Sequence, residues 1–496
     1  MASFYRPPGV YPEIINSPEL VQLSQTARIP VIIGRGQTSI TITSERVTHL
    51  ADAYGPDVLS SEISNIGTLL VPDYEILSVG AYPGVSTWFE GIHFNIVDVA
   101  GVFKGISWII GAPAPATPND GEYYYITYKT PVTDSQYEYK LYTDANQLIA
   151  VHGEETIANE VSIAGVLALR NGALGVGVIQ LNISPRTPGA PTPAEYYVAY
   201  QATLPILEQL DTPYCRYIVP CTCISDGTDL TDPDIFGLFY THVNNMSSSF
   251  NRRWSMLIRG IRANTTVNSN TDVKNDLIAL GSGYNGLQGA RRVIIVAPGE
   301  VYRVLLNTTT NTYQSTLVGG WALAAAAAGR ICGYDNPAIP LTWKAIAGLT
   351  TDRIFSAADM NAIADLGNTS LFMYKGTNII CRHGMTTDHT NANTQEISVV
   401  EIEDYIKVQS IYVLEDSYIG SIITVGLTQA IRGSLSAFME QLIRKQVIAD
   451  YDSGSISVSQ DSNDPRVINI FFRVKPSYPL NWIDIKFQFY AGNSSV

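Results

Sequence analysis

Apolar and polar residues alternate through much of the first third of the chain. The clearest examples are residues 123–129 (YYYITYK) and 137–142 (YEYKLY), which follow the proline-rich stretch 112–121. A period of two, interrupted by proline and glycine, predicts antiparallel strands joined by turns. Residues 37–188 are therefore predicted to form an inserted β-rich domain.

A second pattern begins after the proline-rich segment 184–193. Short apolar runs, each the length of a buried strand, alternate with stretches of helical periodicity. This alternation predicts βαβ units and a parallel sheet. The expected strands are 28–34, 215–223, 254–259 and 292–297, and the expected helices are 194–210, 233–251 and 271–280.

The last part of the chain mixes helices with strands. Residues 319–329 contain six alanines and predict a helix that packs closely against its neighbours. A second helix is predicted over residues 434–450, and residues 455–460 and 467–474 predict a β-hairpin. The apolar stripe of the second helix consists of Leu435, Phe438, Leu442, Ile443 and Val447.

Both ends of the chain are predicted to be extended arms. Four prolines interrupt residues 1–22, and proline fixes φ and removes a hydrogen-bond donor. At the other end, Pro476 and Pro479 separate a last alternating strand from the hairpin. A strand with an unpaired edge favours addition to the sheet of a neighbouring subunit. One face of this strand carries Ile483, Ile485, Phe487 and Phe489.

These patterns divide the chain into four parts. The predicted fold is an α/β (α+β) core domain, with a mixed sheet flanked by helices, plus the inserted domain and the two arms. The boundaries are 1–22 for the N-terminal arm, 23–36 with 189–475 for the core, 37–188 for the β-rich protruding domain and 476–496 for the C-terminal arm strand.

The charge balance indicates which kinds of partner the chain is expected to bind. The chain has 31 Lys and Arg against 45 Asp and Glu, a formal net charge of −14, and no run rich in Lys and Arg. A nucleic-acid coat needs a basic stripe for the phosphates, so direct nucleic-acid binding is not expected. Only 15% of residues are charged, against roughly 25% in ordinary soluble proteins. Protein partners are therefore expected to cover much of the surface.

The sequence offers little catalytic or cofactor chemistry. Residues 281–286 match GxGxxG, but they follow a predicted helix and precede a predicted strand. This order is the reverse of the one that presents backbone amides to a pyrophosphate, so a plain turn is predicted. The most apolar run, residues 321–328, is too short to cross a bilayer, and no membrane insertion is expected.

One cluster has the residue types of a metal site. Cys381, His383, Asp388 and His389 lie within CRHGMTTDH. Zinc favours such ligands, but a second spaced pair is missing from the sequence. The end of a strand followed by a polar loop explains the cluster better, so no metal ligand is assigned.

Two further groups suggest chemistry. Glu401, Glu403 and Asp404 alternate with apolar residues, which predicts the solvated face of a strand over residues 397–408 and not an acid/base pair. The tyrosines at 123–125 suggest sugar binding, but alternation favours a strand that is half core and half surface. No catalytic residue is predicted.

Several short motifs, taken in order, resemble one family. They are RPPGVYPEI near the start, RIPVIIGRG at 28–36, the segment 319–333 followed by Asn336-Pro337, TWKAIAG at 342–348, RHGMT at 382–386, and Asn463-Asp464-Pro465 followed by PSYPLNWIDIKFQFY. Together they resemble a contractile tail sheath protein of the bacteriophage type. CRHGMT is a loose version of the family's Gly-Ala-Arg-Thr-like segment, and Pro12 stands where an acidic or polar residue is commoner.

The resemblance implies a structural protein and not an enzyme. Such subunits polymerise as a sixfold helical tube around an inner tail tube, and contraction drives that tube through the bacterial envelope. It implies as partners other copies of the chain, the tail tube protein, and baseplate and tail terminator or neck proteins, with no cofactor. It also implies a place in the virion tail, after assembly in the host cytoplasm.

The resemblance also implies roles for particular residues. The intersubunit contacts of the N-terminal arm would come from Val10, Tyr11, Ile14 and Ile15; those of the C-terminal arm from Trp482, Ile483, Ile485, Phe487 and Phe489; and the tube-facing charges would be Glu440, Arg444, Lys445 and Asp450. Two alternatives remain open, an intracellular oligomeric enzyme with a β-rich accessory domain and the sheath of a bacteriocin or secretion-type contractile machine.

Overall fold

The computed structural model describes most of the chain, in segments. The described residues are 28–36, 39–49, 57–58, 75–83, 85–99, 103–109, 112–119, 121–131, 138–157, 159–181, 193–211, 214–221, 233–261, 269–307, 312–487 and 489. The predicted N-terminal arm, with Val10, Tyr11, Ile14 and Ile15, lies outside them.

Strands and helices are numbered in chain order within these segments. The strands are β1 (Pro30–Arg35), β2 (Ser39–Thr48), β3 (Asp57–Val58), β4 (Glu75–Gly80), β5 (Phe94–Val99), β6 (Phe103–Trp108), β7 (Tyr123–Pro131), β8 (Tyr139–Tyr142), β9 (Val176–Leu181), β10 (Tyr217–Pro220), β11 (Met256–Gly260), β12 (Val293–Ala297), β13 (Val301–Asn307), β14 (Thr312–Leu317), β15 (Ala345–Ile346), β16 (Thr350–Thr351), β17 (Ser370–Lys375), β18 (Asn378–Cys381), β19 (Ile448–Gln460) and β20 (Ile468–Pro476). The helices are α1 (Ala145–His152), α2 (Glu160–Arg170), α3 (Pro193–Leu207), α4 (Pro233–Met246), α5 (Asn270–Tyr284), α6 (Gly320–Cys332), α7 (Ala357–Gly367), α8 (Ala392–Gln395), α9 (Ile397–Tyr418) and α10 (Val425–Arg444).

A nine-stranded mixed sheet forms the centre of the core. Its order is β15-β18-β17-β12-β11-β10-β1-β9-β8. The six strands from β17 to β9 in this order run parallel, and β15, β18 and β8 add antiparallel pairs at the two edges. All side chains of β10, β11 and β12 are buried, as expected for parallel strands covered on both faces. The predicted mixed sheet flanked by helices is confirmed.

Helices cover both faces of this sheet. On one face lies the alanine-rich helix α6, whose apolar side chains share a buried cluster with α2 and the sheet. On the other face, Tyr196 and Tyr200 of α3 and Phe239 of α4 pack against the strands. Because alanine has no bulk beyond Cβ, α6 can approach its neighbours closely: Gly329 lies against the backbone of Ala168 in α2.

The predicted border of the inserted domain at residue 188 is wrong. Strands β8 and β9 belong to the core sheet, and α2 packs on it. The sequence VGVIQL of β9 is apolar except for Gln180 and is buried at every position, which is typical of a core strand. Because the apolar and polar residues of β8 alternate as those of β7 do, residues 138–181 were predicted to belong to the inserted domain and not to the core.

The strands between residues 39 and 131 form two separate sheets. Their orders are β2-β7-β4 and β3-β6-β5. They share a hydrophobic cluster around Trp108, whose ring makes edge-to-face contacts with Trp88 at 5.2 Å and Tyr124 at 5.1 Å. This β-rich unit therefore has a core of its own.

The C-terminal part corrects three further predictions. Residues 397–408, predicted as a strand, begin helix α9, because Ile397, Val400, Glu401 and Asp404 share one helical face. The helix predicted over 434–450 ends at Arg444, and β19 begins at Ile448. Residues 481–487 of the predicted last strand have no regular secondary structure.

We expect Gly329→Ala to lower the free energy of unfolding by about 1 to 3 kcal/mol, because the new Cβ would overpack the contact between α6 and α2. An ideal Cβ at this position would lie 2.2 Å from the carbonyl oxygen of Ala168. Gly433→Ala is the matched control: it lies exposed in α10 with open space around it. The free energy of unfolding of the control should rise by about 0.4 to 1 kcal/mol. Equal denaturation midpoints in urea for the two variants would contradict the close approach.

Candidate assembly surface

The C-terminal arm leaves a row of large apolar side chains uncovered. Trp482, Ile483, Ile485, Phe487 and Phe489 are between 71% and 90% exposed. Ring contacts occur within the arm itself, where Phe487 and Phe489 meet edge to face at 5.5 Å. Monomeric proteins rarely expose contiguous apolar surface of this kind, and it marks an interaction site.

Polar contacts fix the root of this arm to the core. The Asn481 side-chain amide donates to Glu396 Oε1 at 2.6 Å. His383 Nε2 lies 2.5 Å from the same oxygen and 3.2 Å from Asn481 Nδ2. Earlier in the arm, the Tyr478 hydroxyl donates to the Asn393 side chain. The arm is therefore anchored up to residue 481 and uncovered beyond it.

These contacts involve residues of the cluster within CRHGMTTDH, which has the residue types of a metal site. His383 pairs with Glu396 and Asn481, and Cys381 is fully buried, which raises the pKa of its thiol. Burial also lowers the pKa of His389. In the described segments, no group of three or more His, Cys, Asp and Glu side chains is placed to hold a metal ion. The structure uses this region as a support for the arm.

The hairpin β19–β20 lies directly before the arm in the chain. One face of β20 packs against α9 and α10, where it contacts Leu435 and Phe438 among others. The side chains on this face are Ile468, Ile470, Phe472 and Val474. Within the described residues the hairpin is a two-stranded sheet, so each strand has one edge without a ladder partner. An open edge of this kind is a template for an added strand.

The four charges predicted to face the tube are all exposed. Glu440 and Arg444 lie near the end of α10, Lys445 follows it, and Asp450 lies on β19. The Tyr451 hydroxyl donates to Glu440 Oε1 at 3.1 Å. The structure thus places these side chains around the turn from α10 to β19, with Asp450 on a strand and not on the predicted helix.

A buried cluster of five charges, which sequence reasoning missed, holds α9 against the core. Arg28, Arg216 and Arg292 precede β1, β10 and β12, so all three lie at the amino-terminal edge of the parallel strands. Arg28 and Arg216 reach Glu401 at 2.9 and 2.7 Å. Arg216 also reaches Asp404 at 2.8 Å, and Arg292 binds Asp404 through two nitrogens. These two carboxylates were predicted to be solvated.

The guanidinium groups keep both carboxylates ionised. Burial alone would raise the pKa of Glu401, but the opposing effect of Arg216 and Arg28 outweighs it and lowers that pKa below its usual value. In the same way, Arg292 and Arg216 outweigh the burial of Asp404 and lower its pKa. By contrast, Glu403 lies half-buried at the surface and pairs with Arg291 at 2.8 Å.

The motif at residues 281–286 forms the end of α5 and the turn after it. A Cβ at Gly281 would meet the carbonyl oxygen of Gly367 at 1.6 Å, so the glycine serves the packing of α5 against α7. No helix among the described residues is long and apolar enough to span a bilayer.

Sequence comparison finds a phage relative. No family model matches the chain. A segment of 208 residues is 28% identical to the tail sheath protein of Mycobacterium phage Bxz1 and covers 40% of this chain. The match spans about a third, 33%, of the length of that relative.

Two solved sheath structures share the fold. The helical sheath of the anti-feeding prophage in its contracted state superposes with a TM-score of 0.51 at 11% identity, over 98% of this chain and 99% of that one. The sheath complex of the extracellular contractile injection system PVC, also contracted, gives 0.51 at 10% identity, over 72% and 88% of the two chains. The resemblance to contractile tail sheath proteins is confirmed, and the mixed α/β fold is theirs.

We expect Glu401→Gln to lower the free energy of unfolding by about 3 to 5 kcal/mol, because Arg28 and Arg216 would lose a buried counter-charge. Glu403→Gln is the matched control, since it removes one carboxylate two residues away on the same helix. Because the ion pairs of Glu403 are partly exposed, their loss should lower the free energy of unfolding by at most about 1 kcal/mol. Chemical denaturation of both variants measures the difference, and a similar loss in the two would refute the structural role of the buried cluster.

Proposed function

We propose that this chain is the subunit of a contractile sheath, which polymerises as a helical tube around an inner tail tube and contracts to drive that tube through a bacterial envelope. The observation that carries the proposal is the exposed apolar arm, rooted beside a hairpin with open edges. The similarity to a protein named as a phage tail sheath supports it. An enzyme is not favoured, because the proposal accounts for these surfaces without catalysis.

The arm supplies the link between subunits. Burying each of Ile483, Ile485, Phe487 and Phe489 contributes roughly 1.5 to 3 kcal/mol. Residues 477–487 form no ladder with their own hairpin, and the apolar face of β20 is already covered by α9 and α10. Added to an open edge of β19–β20 in a neighbouring copy, the arm would gain a ladder partner and apolar cover together. Each subunit would then be both donor and acceptor.

The N-terminal arm is proposed to act in the same way. Val10, Tyr11, Ile14 and Ile15 would contact a second neighbour, so that two arms connect each subunit to the lattice. Arg28, the first described residue, is held by Glu401 at 2.9 Å. Tension on the arm would therefore reach the buried charge cluster at once, and the core would move as a rigid body.

Contraction needs no bound nucleotide in this proposal. The free energy lies in the difference between two packings of one lattice. A difference of about 1 kcal/mol per subunit, the size of a modest interface change, sums over on the order of a hundred subunits to a large driving force. The arms keep the lattice connected while the packing changes.

The other proposed partners follow from the same role. The tail tube would lie against the turn from α10 to β19, and the ends of the sheath would meet a baseplate and a tail terminator or neck protein. The subunit would be assembled in the host cytoplasm and carried in the virion tail. The sheath of a bacteriocin or secretion-type contractile machine is the second candidate, since one fold neighbour is the contracted sheath of an extracellular contractile injection system. Particles that contain DNA would favour the virion.

We expect deletion of residues 482–496, which spares the contact of Asn481 with Glu396, to leave a folded, soluble monomer that forms no tubes. A sharper variant replaces Ile483, Ile485, Phe487 and Phe489 by Ser, because it keeps the arm's length and removes its apolar face. The matched control replaces Asp484 and Lys486 by Ser in the same arm, and it should still polymerise. Negative-stain microscopy shows tubes, and calorimetry measures the melting temperature.

Two outcomes would refute arm exchange. Tubes of normal length from the truncated protein would show that the arm is dispensable. A markedly lower melting temperature with insoluble protein would show instead that the arm pairs within its own subunit.

We expect reversal of Arg444 and Lys445 to Glu to weaken co-assembly of sheath and tube without unfolding the subunit. These charges are exposed, and complementary surface charges guide docking while remaining weak. Reversal of Lys140 and Lys375, which changes the net charge by the same amount elsewhere, is the control. Sedimentation of tube protein with sheath protein measures the association, and unchanged co-sedimentation of the Arg444 and Lys445 variant would remove this face from the interface.

A further inference from the structure

A cleft in the β-rich unit of residues 39–131 has no role in the proposed assembly. Its volume is about 610 Å³, within the range of small-ligand sites. It lies between the turn that follows β4 and the loop that leads into β7. The residues that line it are Ala81, Tyr82, Trp88, Ala116, Thr117, Pro118, Asn119, Gly121, Glu122, Tyr123 and Tyr125.

Four aromatic residues line the cleft, and they differ in exposure. Tyr82 and Tyr123 are 71% and 54% exposed, whereas Trp88 is only 7% exposed. Tyr125 is half-buried, so its exposure lies between that of Tyr123 and that of Trp88. Two accessible tyrosine rings in the same cleft as a buried indole suit a ligand that has apolar faces of its own.

The cleft is held in shape by contacts that do not depend on a ligand. The Trp88 indole donates through Nε1 to the Ala116 carbonyl at 3.0 Å, which ties the two walls together. The guanidinium of Arg46 lies 4.4 Å from the centre of the Tyr123 ring and supports that ring. Trp88 also contacts the central Trp108. The rings of Trp88 and Tyr123 are therefore positioned before any ligand arrives, which reduces the entropy cost of binding.

Polar groups at the same cleft are acceptors and neutral donors. The Asn119 backbone N–H donates to Glu122 Oε2 at 2.8 Å, and this bond lowers the pKa of the Glu122 carboxyl. The carboxylate is thus fixed in its ionised, accepting form beside the rings. Thr117 and Asn119 add a hydroxyl and an amide. None of the lining residues is basic, so the cleft does not suit a phosphate or another anion.

We propose that this cleft binds a neutral sugar ring. A pyranose has a face of C–H groups that stacks on tyrosine and tryptophan, and an edge of hydroxyls that donate to a carboxylate and exchange hydrogen bonds with an amide. Both halves of that chemistry are present here, on rings that are already oriented. A purely apolar ligand would take the ionised carboxylate of Glu122 out of water without offering it a donor.

The test uses the full-length protein with maltotriose, chitotriose and lactose as sugar probes and choline as a cationic probe. Tryptophan fluorescence and saturation-transfer NMR report binding. We expect at least one sugar to bind with a dissociation constant on the order of 1 mM. Tyr82→Ala and Tyr123→Ala should each weaken it about tenfold, through loss of a stacked ring. Phe89→Ala is the control, since Phe89 is 54% exposed and lies outside the cleft.

The outcomes separate cleanly. Loss of sugar binding in the two tyrosine variants but not in Phe89→Ala would establish the site. Binding of choline alone, binding unaffected by either tyrosine variant, or no sugar binding at 20-fold above about 1 mM would overturn it. Tyr82→Ala should still form normal tubes, so this inference and the proposed sheath role can fail independently.

Discussion

The buried cluster of Arg28, Arg216, Arg292, Glu401 and Asp404 is the interaction on which the C-terminal half depends. Taking charges out of water costs several kcal/mol each, and only close pairing with further hydrogen bonds offsets that cost. The cluster has three guanidiniums for two carboxylates, and backbone carbonyls accept further N–H groups: Arg28 donates to the Tyr334 carbonyl, and Arg216 donates to the Trp254 carbonyl at 2.8 Å. Helix α9 can therefore bind the sheet edge in one position only, and that position places α10, the hairpin β19–β20 and the root of the arm.

The closely packed core and the uncovered apolar arm thus lie in different parts of the chain. The core sheet is covered on both faces, and α6 packs so closely that a glycine touches the backbone of α2. The arm beyond Asn481 has the opposite character, because its apolar groups have no cover among the described residues. A closely packed core with an uncovered apolar arm fits the proposed lattice, in which contacts between subunits change while the subunits do not.

Local sequence signals predicted the parts of the fold that depend on local physics. The strands beginning at Pro30, Tyr217, Met256 and Val293 are short apolar runs bounded by turns, and they were found because burial on both faces leaves that pattern. Glu401 and Asp404 were misplaced because buried carboxylates mimic a polar strand face. Arg28, a partner of Glu401, lies 373 residues from it in the chain, so no local pattern could reveal the pairing. Likewise, Glu396 and Asn481 meet only in the folded chain, and the alternation of the arm predicted a strand that residues 481–487 do not form.

The low charge content acquires a physical reason from this arrangement. Several of the few charged side chains are used inside the subunit, as in the five-charge cluster and in the pair of Arg35 with Glu160 at 2.9 Å. Fewer remain for the surface, and a surface poor in charge loses less hydration when copies pack together. The net charge of −14 still makes copies repel at a distance, but at physiological salt that repulsion is screened beyond roughly 8 Å. In the proposed assembly, contact-range apolar burial along the arm, together with backbone pairing, would then be the attraction that holds two subunits together.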